Sequence, residues 1–261
     1  MRSMASSISS KGIAAIVGVG PKLGRSIAHK FAHEGYTVAI LARDLGRLSR
    51  FAEEIAREEK AQVFAIRIDC SDSRSVKEAF EGVLSLGFVE VLVYNAYQPV
   101  PWRPTNFTDI PLDSFYKSLA VSSIGAFLCA QQVLPGMVER RRGTILFTGC
   151  AASLNGIAGF TELCCGKFAL RALCQCLARE FQPLGVHVAH VIIDGIIGPS
   201  RGLTVTQRGL VGEQQQSGRA EEGSTMMDPD SLAQTYWHLH VQDRTGWTQE
   251  IDLRPSPSRF Y

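Results

Sequence analysis

The stretch Ile13-Ala14-Ala15-Ile16-Val17-Gly18-Val19-Gly20-Pro21-Lys22-Leu23-Gly24, followed by Arg25 to His33, decides the architecture. Its first five residues are continuously apolar, as a strand buried on both faces must be. A glycine-rich turn then feeds directly into an amphipathic helical pattern over Leu23 to His33. Gly18 allows the tight turn, the loop backbone can approach a pyrophosphate, and the helix N-terminus offers N–H groups and a favourable dipole to an anion. Strand, turn and helix in this order form the context in which a glycine motif predicts a dinucleotide site; the alternative is a glycine-rich turn without a ligand.

The same grammar repeats outward from this stretch. Short apolar runs recur at Thr37 to Leu41, Gln62 to Ile68, Val89 to Val93, Thr144 to Phe147 and Val186 to Ile193. Helical patterns separate them at Arg47 to Lys60, Ser75 to Leu84, Leu112 to Arg140 and Phe160 to Gln182. Alternation of strand and helix predicts an α/β fold: a three-layer, doubly wound parallel sheet of the Rossmann type. Asp228-Pro229-Asp230 supplies an N-cap followed by proline at the first helical position, which starts a helix through His240, and Trp247 to Leu253 reads as a last strand. Residues 1–11 read as a disordered leader, their Ser-rich composition leaving a short targeting tail as the alternative. Residues 12–261 read as a single domain. Within it, residues 199–225 are polar and glycine-rich, which predicts a substrate lid rather than a second core.

Bulk properties narrow the function. A chain of 261 residues with 45% hydrophobic residues can bury a large core. Its 27 basic and 25 acidic residues give a net charge of +2, so no single-sign field steers it to nucleic acid or to an anionic membrane, and a small-molecule substrate is the expected partner. Seven cysteines without paired C-x-x-C spacing read as reduced thiols in a cytoplasmic protein, with no metal site. No apolar run is expected to reach the length of a membrane span.

At the end of the second strand stands Ala42-Arg43. A free ribose 2′-hydroxyl would call for an acidic residue there and a 2′-phosphate for a guanidinium, so NADP(H) is preferred to NAD. The alternative is that Arg43 caps or solvates the next helix, which also carries Arg47 and Arg50.

These features resemble the short-chain dehydrogenase/reductase family, whose loop is usually T-G-x-x-x-G-x-G. Gly18 and Gly24 match its first and last glycines, with Gly20 and Leu23 inside the loop, and Lys22 occupies the middle glycine's place. A side chain there either crowds the phosphates or salt-bridges them, and both readings stay open. Asp69-Cys70 resembles the family's pair at the adenine, and Asn95-Ala96 the core of its N-N-A-G, with Tyr94 and Tyr97 as departures. Gly143 to Cys150, followed by Lys167-Phe168-Ala169-Leu170, carries the likeness onward, so that it spans roughly Gly12 to Pro199.

What the resemblance implies about chemistry is mostly absence. Anchoring on Lys167 puts Leu163 where the family has its catalytic Tyr and Cys150 where it has Ser; the helix Asn falls on Ser122. Asp194-Gly195-Ile196-Ile197-Gly198-Pro199 lies where the family has P-G-x-V-x-T, so Gly195 and Ile197 are expected at the nicotinamide end, while Pro199 replaces a hydroxyl residue. A positioned acid typically contributes about 10²–10⁴ in rate, and leucine has no transferable proton. Lys167 is expected to hold the nicotinamide ribose, although a helical lysine can also sit at the surface. Cys150, Ser122 and Tyr97 are the remaining polar candidates near a substrate, the alternative for Tyr97 being packing. Glu162 is expected at the surface.

Ala189-His190-Val191-Ile192-Ile193-Asp194-Gly195 and the tail Trp247 to Pro255 are similar to an atypical branch of the family whose members also lack the tyrosine. Two functions are therefore expected. One is an NADP(H)-dependent oxidoreductase acting on a small apolar carbonyl or alcohol with an unusual proton source. The other is a non-redox protein of the same fold, an isomerase, a cyclase or a pseudoenzyme whose partner binding responds to the cofactor. The family resemblance further implies a homodimer or homotetramer built on the helices Leu112 to Arg140 and Phe160 to Gln182.

Overall fold

A computed structural model of the chain describes residues 11–100, 103–200 and 226–256. Almost all of the expected substrate lid, and all but one residue of the expected leader, lie outside the described residues. Seven strands form one parallel sheet in the order β3-β2-β1-β4-β5-β6-β7. They are β1 (Ile13–Val17), β2 (Thr37–Ala42), β3 (Val63–Arg67), β4 (Val89–Tyr94), β5 (Gly143–Cys150), β6 (Val186–Ile193) and β7 (Glu250–Leu253). Every residue of β1, β4 and β6 is buried, as the continuous apolar runs require. The order reverses between β1 and β4, so the groove for a ligand opens at the C-terminal ends of these two strands.

Helices α1 (Leu23–His33), α2 (Leu45–Glu59) and α7 (Pro229–His240) pack on one face, and α3 (Ser73–Ser85), α5 (Gly125–Glu139) and α6 (Thr161–Phe181) on the other. Two apolar cores follow, one on each side of the sheet, and the three layers of the expected doubly wound fold are present. Asp228 caps α7 by accepting from the Asp230 amide, with Pro229 at the first helical turn. Asp44 caps α2 in the same way through the Arg47 amide at 3.0 Å, which starts that helix two residues before the expected Arg47.

The pattern expected as one helix over Leu112 to Arg140 is interrupted. It runs as α4 (Leu112–Leu119), a π turn at Ala120–Ile124 and then α5. The Gly125 amide bonds to Ala120 O, five residues back, instead of to Val121 O. Val121 O is satisfied from outside the helix by the hydroxyl of the fully buried Tyr94. Gly125 has to be glycine here, because a Cβ would lie 2.5 Å from that hydroxyl. Contrary to expectation, Leu112–Glu139 is long and apolar enough to cross a membrane by length and composition. Half of its most apolar window is buried inside the fold, and that burial against the sheet and α6 accounts for its composition.

Candidate active site

The phosphate loop is held by backbone geometry. Gly18 adopts φ +87°, and a Cβ on it would lie 2.4 Å from the Ala96 amide nitrogen. The ends of β1 and β4 can therefore touch only because this residue is glycine. Gly18 N donates to Leu41 O at 2.8 Å, and Asn95 Nδ2 donates to Gly18 O at 2.9 Å, which fixes the turn between β2 and β4. A Cβ on Gly24 would strike the backbone of Val19 and Gly18, whereas one on Gly20 would meet nothing within 4 Å. The loop is thus closed below and open above. The N-terminus of α1 has no side-chain cap and no acidic residue in its first turn, so its dipole is left for an external anion.

The structure shows where the side chain of Lys22, in the family's middle-glycine place, is directed. Its Nζ donates to Ile197 O at 2.7 Å, so the side chain reaches from the phosphate loop to the segment after β6. Burial pulls its pKa below the ordinary lysine value. At the other end of the groove Arg43 is exposed, and among the described residues it makes no ion pair. Helix α2 is capped by Asp44, which removes capping as the reason for Arg43. The Arg43 charge is felt at Asp69, whose pKa is lowered first by hydrogen bonds from Ser71 and in lesser part by Arg43. Cys70 is buried beside Tyr94, and burial pushes its thiol up to about 11.

The opposite wall is built from side chains. Lys167 projects from α6 into the interior, 5% exposed, and its Nζ donates to Thr148 O at 2.8 Å. Burial lowers its pKa, and the neighbouring Cys150 opposes that shift. A surface role for Lys167 is excluded. Cys150 ends β5, half-buried, with its amide donating to Ser153 Oγ at 3.2 Å. Ser122 sits in the π turn, 1% exposed, and its Oγ is without a partner among the described residues. That oxygen faces Gly166, where a Cβ would lie 3.0 Å away. Ser122 therefore packs against α6 one residue before Lys167. Leu163 is half-buried one turn earlier on α6.

Tyr97 is exposed on the loop after β4. Glu162 departs from expectation. It is buried, and its carboxylate accepts from Ser114 Oγ. The side chain that points away from Leu163 meets α4 rather than water, and sequence spacing alone gave no view of that packing. Gly195 and Ile197 follow β6 as expected; Ile197 pairs with Met227, and Gly198 N donates to Met227 O at 2.9 Å.

A further group was not anticipated as a contact. His190 on β6 lies directly opposite Glu250 on β7, with Nδ1 3.0 Å from Glu250 Oε2, and Glu250 is held bidentately by Arg171 of α6 at 2.7 Å. The Arg254 guanidinium spans Asp194 at 3.1 Å and Asp252 at 2.9 Å. The two motifs around Ala189 to Gly195 and Trp247 to Pro255 are therefore the two sides of one ion-paired strand junction. Their joint presence was the signal that could have suggested it.

Comparison with known proteins agrees with this geometry. The short chain dehydrogenase family profile matches residues 12–201. The 3-dehydrosphinganine reductase of Danio rerio is 29% identical over 181 residues, which cover 66% of this chain and 53% of that protein. The very-long-chain 3-oxoacyl-CoA reductase of Bos taurus is 28% identical, over 69% of this chain and 57% of its own. The chain thus spans about half the length of these curated relatives. Among solved structures, a short-chain dehydrogenase from Rhodopseudomonas palustris superposes with a TM-score of 0.77 at 28% identity, covering 94% of this chain and 98% of its own. An alcohol dehydrogenase from the archaeon Thermococcus sibiricus, complexed with 5-hydroxy-NADP, shares the fold at a TM-score of 0.81 and 23% identity, covering 96% and 99%. Loop, sheet order and profile together place this chain in the short-chain dehydrogenase family.

Proposed function

We propose that the chain is an NADP(H)-binding oxidoreductase acting on a small apolar carbonyl or alcohol, with a proton source other than the family's tyrosine. The observation that carries this reading is the pairing of a glycine cradle at Gly18 and Gly24 with the exposed Arg43 just after β2, which makes no ion pair among the described residues. The residues present fit the cofactor. Gly18, Gly20, Leu23 and Gly24 would border the pyrophosphate, Arg43 the 2′-phosphate, Asp69 and Cys70 the adenine, Asn95 and Ala96 the adjoining ribose side, and Gly195 and Ile197 the nicotinamide end.

When bound, NADPH supplies a hydride to the carbonyl carbon, and the carbonyl oxygen takes up one proton to complete the alcohol. Lys167, its ammonium anchored on Thr148 O, would hold the nicotinamide ribose. Of the three candidate donors, Cys150 lies two residues after Thr148, whose carbonyl holds Lys167, while Tyr97 is exposed and Ser122 faces Gly166. Relatives named as reductases of 3-oxo compounds support carbonyl reduction as the direction. Exposed Leu112, Tyr116, Ile124, Phe127 and Phe168 on α4, the π turn, α5 and α6 support a homodimer or homotetramer across these helices. Seven unpaired cysteines support a cytoplasmic location.

The second reading is a non-redox protein of the same fold, supported by Leu163, which has no transferable proton, and Pro199, which has no hydroxyl. The test is a thermal midpoint with NADPH, NADH or neither, followed by NADPH consumption over a panel of small ketones. A larger rise with NADPH than with NADH is expected, together with consumption that Lys167→Ala abolishes. Binding without consumption by any ketone would favour the second reading.

A further inference from the structure

We propose that Lys22 is a transferable cation: in the free protein it ties the phosphate loop to the Ile197 carbonyl, and a bound pyrophosphate takes it over, releasing that carbonyl and its segment. The inference rests on the NADP(H) reading and goes beyond it, because it makes cofactor capture an exchange of an internal bond instead of the filling of a groove.

Three observations converge on it. Lys22 is the residue immediately before α1, whose N-terminus has no side-chain cap and no acidic first turn. An anion drawn there would stand beside a lysine. Its ammonium at present donates to Ile197 O at 2.7 Å, across the groove between the ends of β1 and β6. The segment it grips is lightly built: Ile197 is held to Met227 by an isolated bridge, with Gly198 N donating to Met227 O and Met227 N to Ile196 O, both at 2.9 Å. A neutral carbonyl is a weaker partner for an ammonium than a phosphate oxygen, since hydrogen bonds between two ionised groups are roughly twice as strong as neutral ones. Partial burial raises the preference for an anion further. A glycine at position 22 would leave the loop and the segment after β6 independent; lysine couples them.

The experiment uses the full chain as wild type, Lys22→Met and Lys22→Arg. Affinity for NADPH, NADH, ADP and 2′-AMP is measured by calorimetry, and amide hydrogen exchange is followed at Gly198 and Met227. Lys22→Met is expected to weaken NADPH, NADH and ADP alike by about tenfold, leaving 2′-AMP, which has no pyrophosphate, unchanged. Lys22→Arg should retain most of the affinity. Exchange at Gly198 and Met227 should quicken several-fold in the free Lys22→Met protein, and in wild type when ADP is added. Unchanged or tighter binding of the pyrophosphate ligands to Lys22→Met, or exchange that ADP does not alter, would overturn the proposal while leaving NADP(H) binding in place. A wild type that binds none of the four would overturn both.

Discussion

The β1–α1–β2 half of the sheet and the β5–α6–β6–β7 half face the same groove with different materials. In the first, the groove is shaped by backbone. Gly18 at φ +87° touches Ala96, Gly24 lies against Val19, and the turn is pinned by Leu41 O and the Asn95 amide. In the second, buried functional groups stand in the strands and helix themselves: Lys167 on Thr148 O and His190 against Glu250. At Gly18 and Gly24 the backbone cradle admits almost no substitution, because the clash is with atoms every residue carries. A side-chain wall can exchange its chemistry while the strand beneath keeps its course. On this division both positions expected to depart from the family, Leu163 and Cys150, fall on the side-chain wall.

The strongest way to break this contrast is to rebuild the second wall. Leu163→Tyr combined with Cys150→Ser should raise NADPH-dependent ketone reduction by about 10²–10⁴, read as NADPH consumption over the ketone panel. No gain would mean that the β5–α6 half differs in more than its side chains.

Acid should act where the two halves meet, at His240 of α7, which bonds to the Tyr36 hydroxyl on one side and Thr144 Oγ1 of β5 on the other. Burial pushes the His240 pKa down to about 4, and burial also lowers His187 and His190. Between pH 6.5 and about 4 the unfolded chain binds a proton on His240 that the folded chain refuses, so stability falls as pH falls through that window. The loss from this residue is about 3 kcal/mol, a drop in midpoint of roughly 6–12 °C. His240→Asn should flatten the profile of thermal midpoint against pH, and a wild-type midpoint flat from pH 7 to 4 would contradict the assignment.

For the first half the sharpest probe is Arg43→Ala. Charge-assisted hydrogen bonds contribute about 1.5–3 kcal/mol, so NADPH affinity should fall about 10–100-fold with NADH unchanged in parallel titrations. Equal losses for both dinucleotides would remove the 2′-phosphate from the argument. The smallest effect is expected from Arg171→Ala. Its bidentate contact with Glu250 is partly exposed, and such pairs are worth at most about 1 kcal/mol, or about 2–4 °C in thermal midpoint. A larger fall would indicate that the Arg171–Glu250–His190 chain supports the wall as a unit.

How far the sequence could be read follows the same division. Features that depend on local backbone chemistry were legible: the strand and loop at Ile13 to Gly24, the alternation of elements, and the Asp228-Pro229 helix start all lie where expected. The end of β5 was underestimated, since Thr148, Gly149 and Cys150 lack the apolar signature of a strand yet pair with Val191, Ile192 and Ile193. Features that depend on contacts across the fold were not legible. The π turn arises because Tyr94, on another element, takes the carbonyl of Val121. Glu162 is buried because α4 brings Ser114 to it. The partner of Lys22 lies 175 residues away.

Gly149 and His190 share one volume: a Cβ on the glycine would lie 2.1 Å from His190 Nε2, a buried nitrogen without a partner among the described residues. The two positions can therefore change only in a set order. Any side chain at 149 must be preceded by a smaller residue at 190, and that intermediate leaves Glu250 without its imidazole and opens a hollow beneath the strand. A side chain at 149 is therefore reachable only through that destabilised intermediate, which couples the two positions in any substitution series.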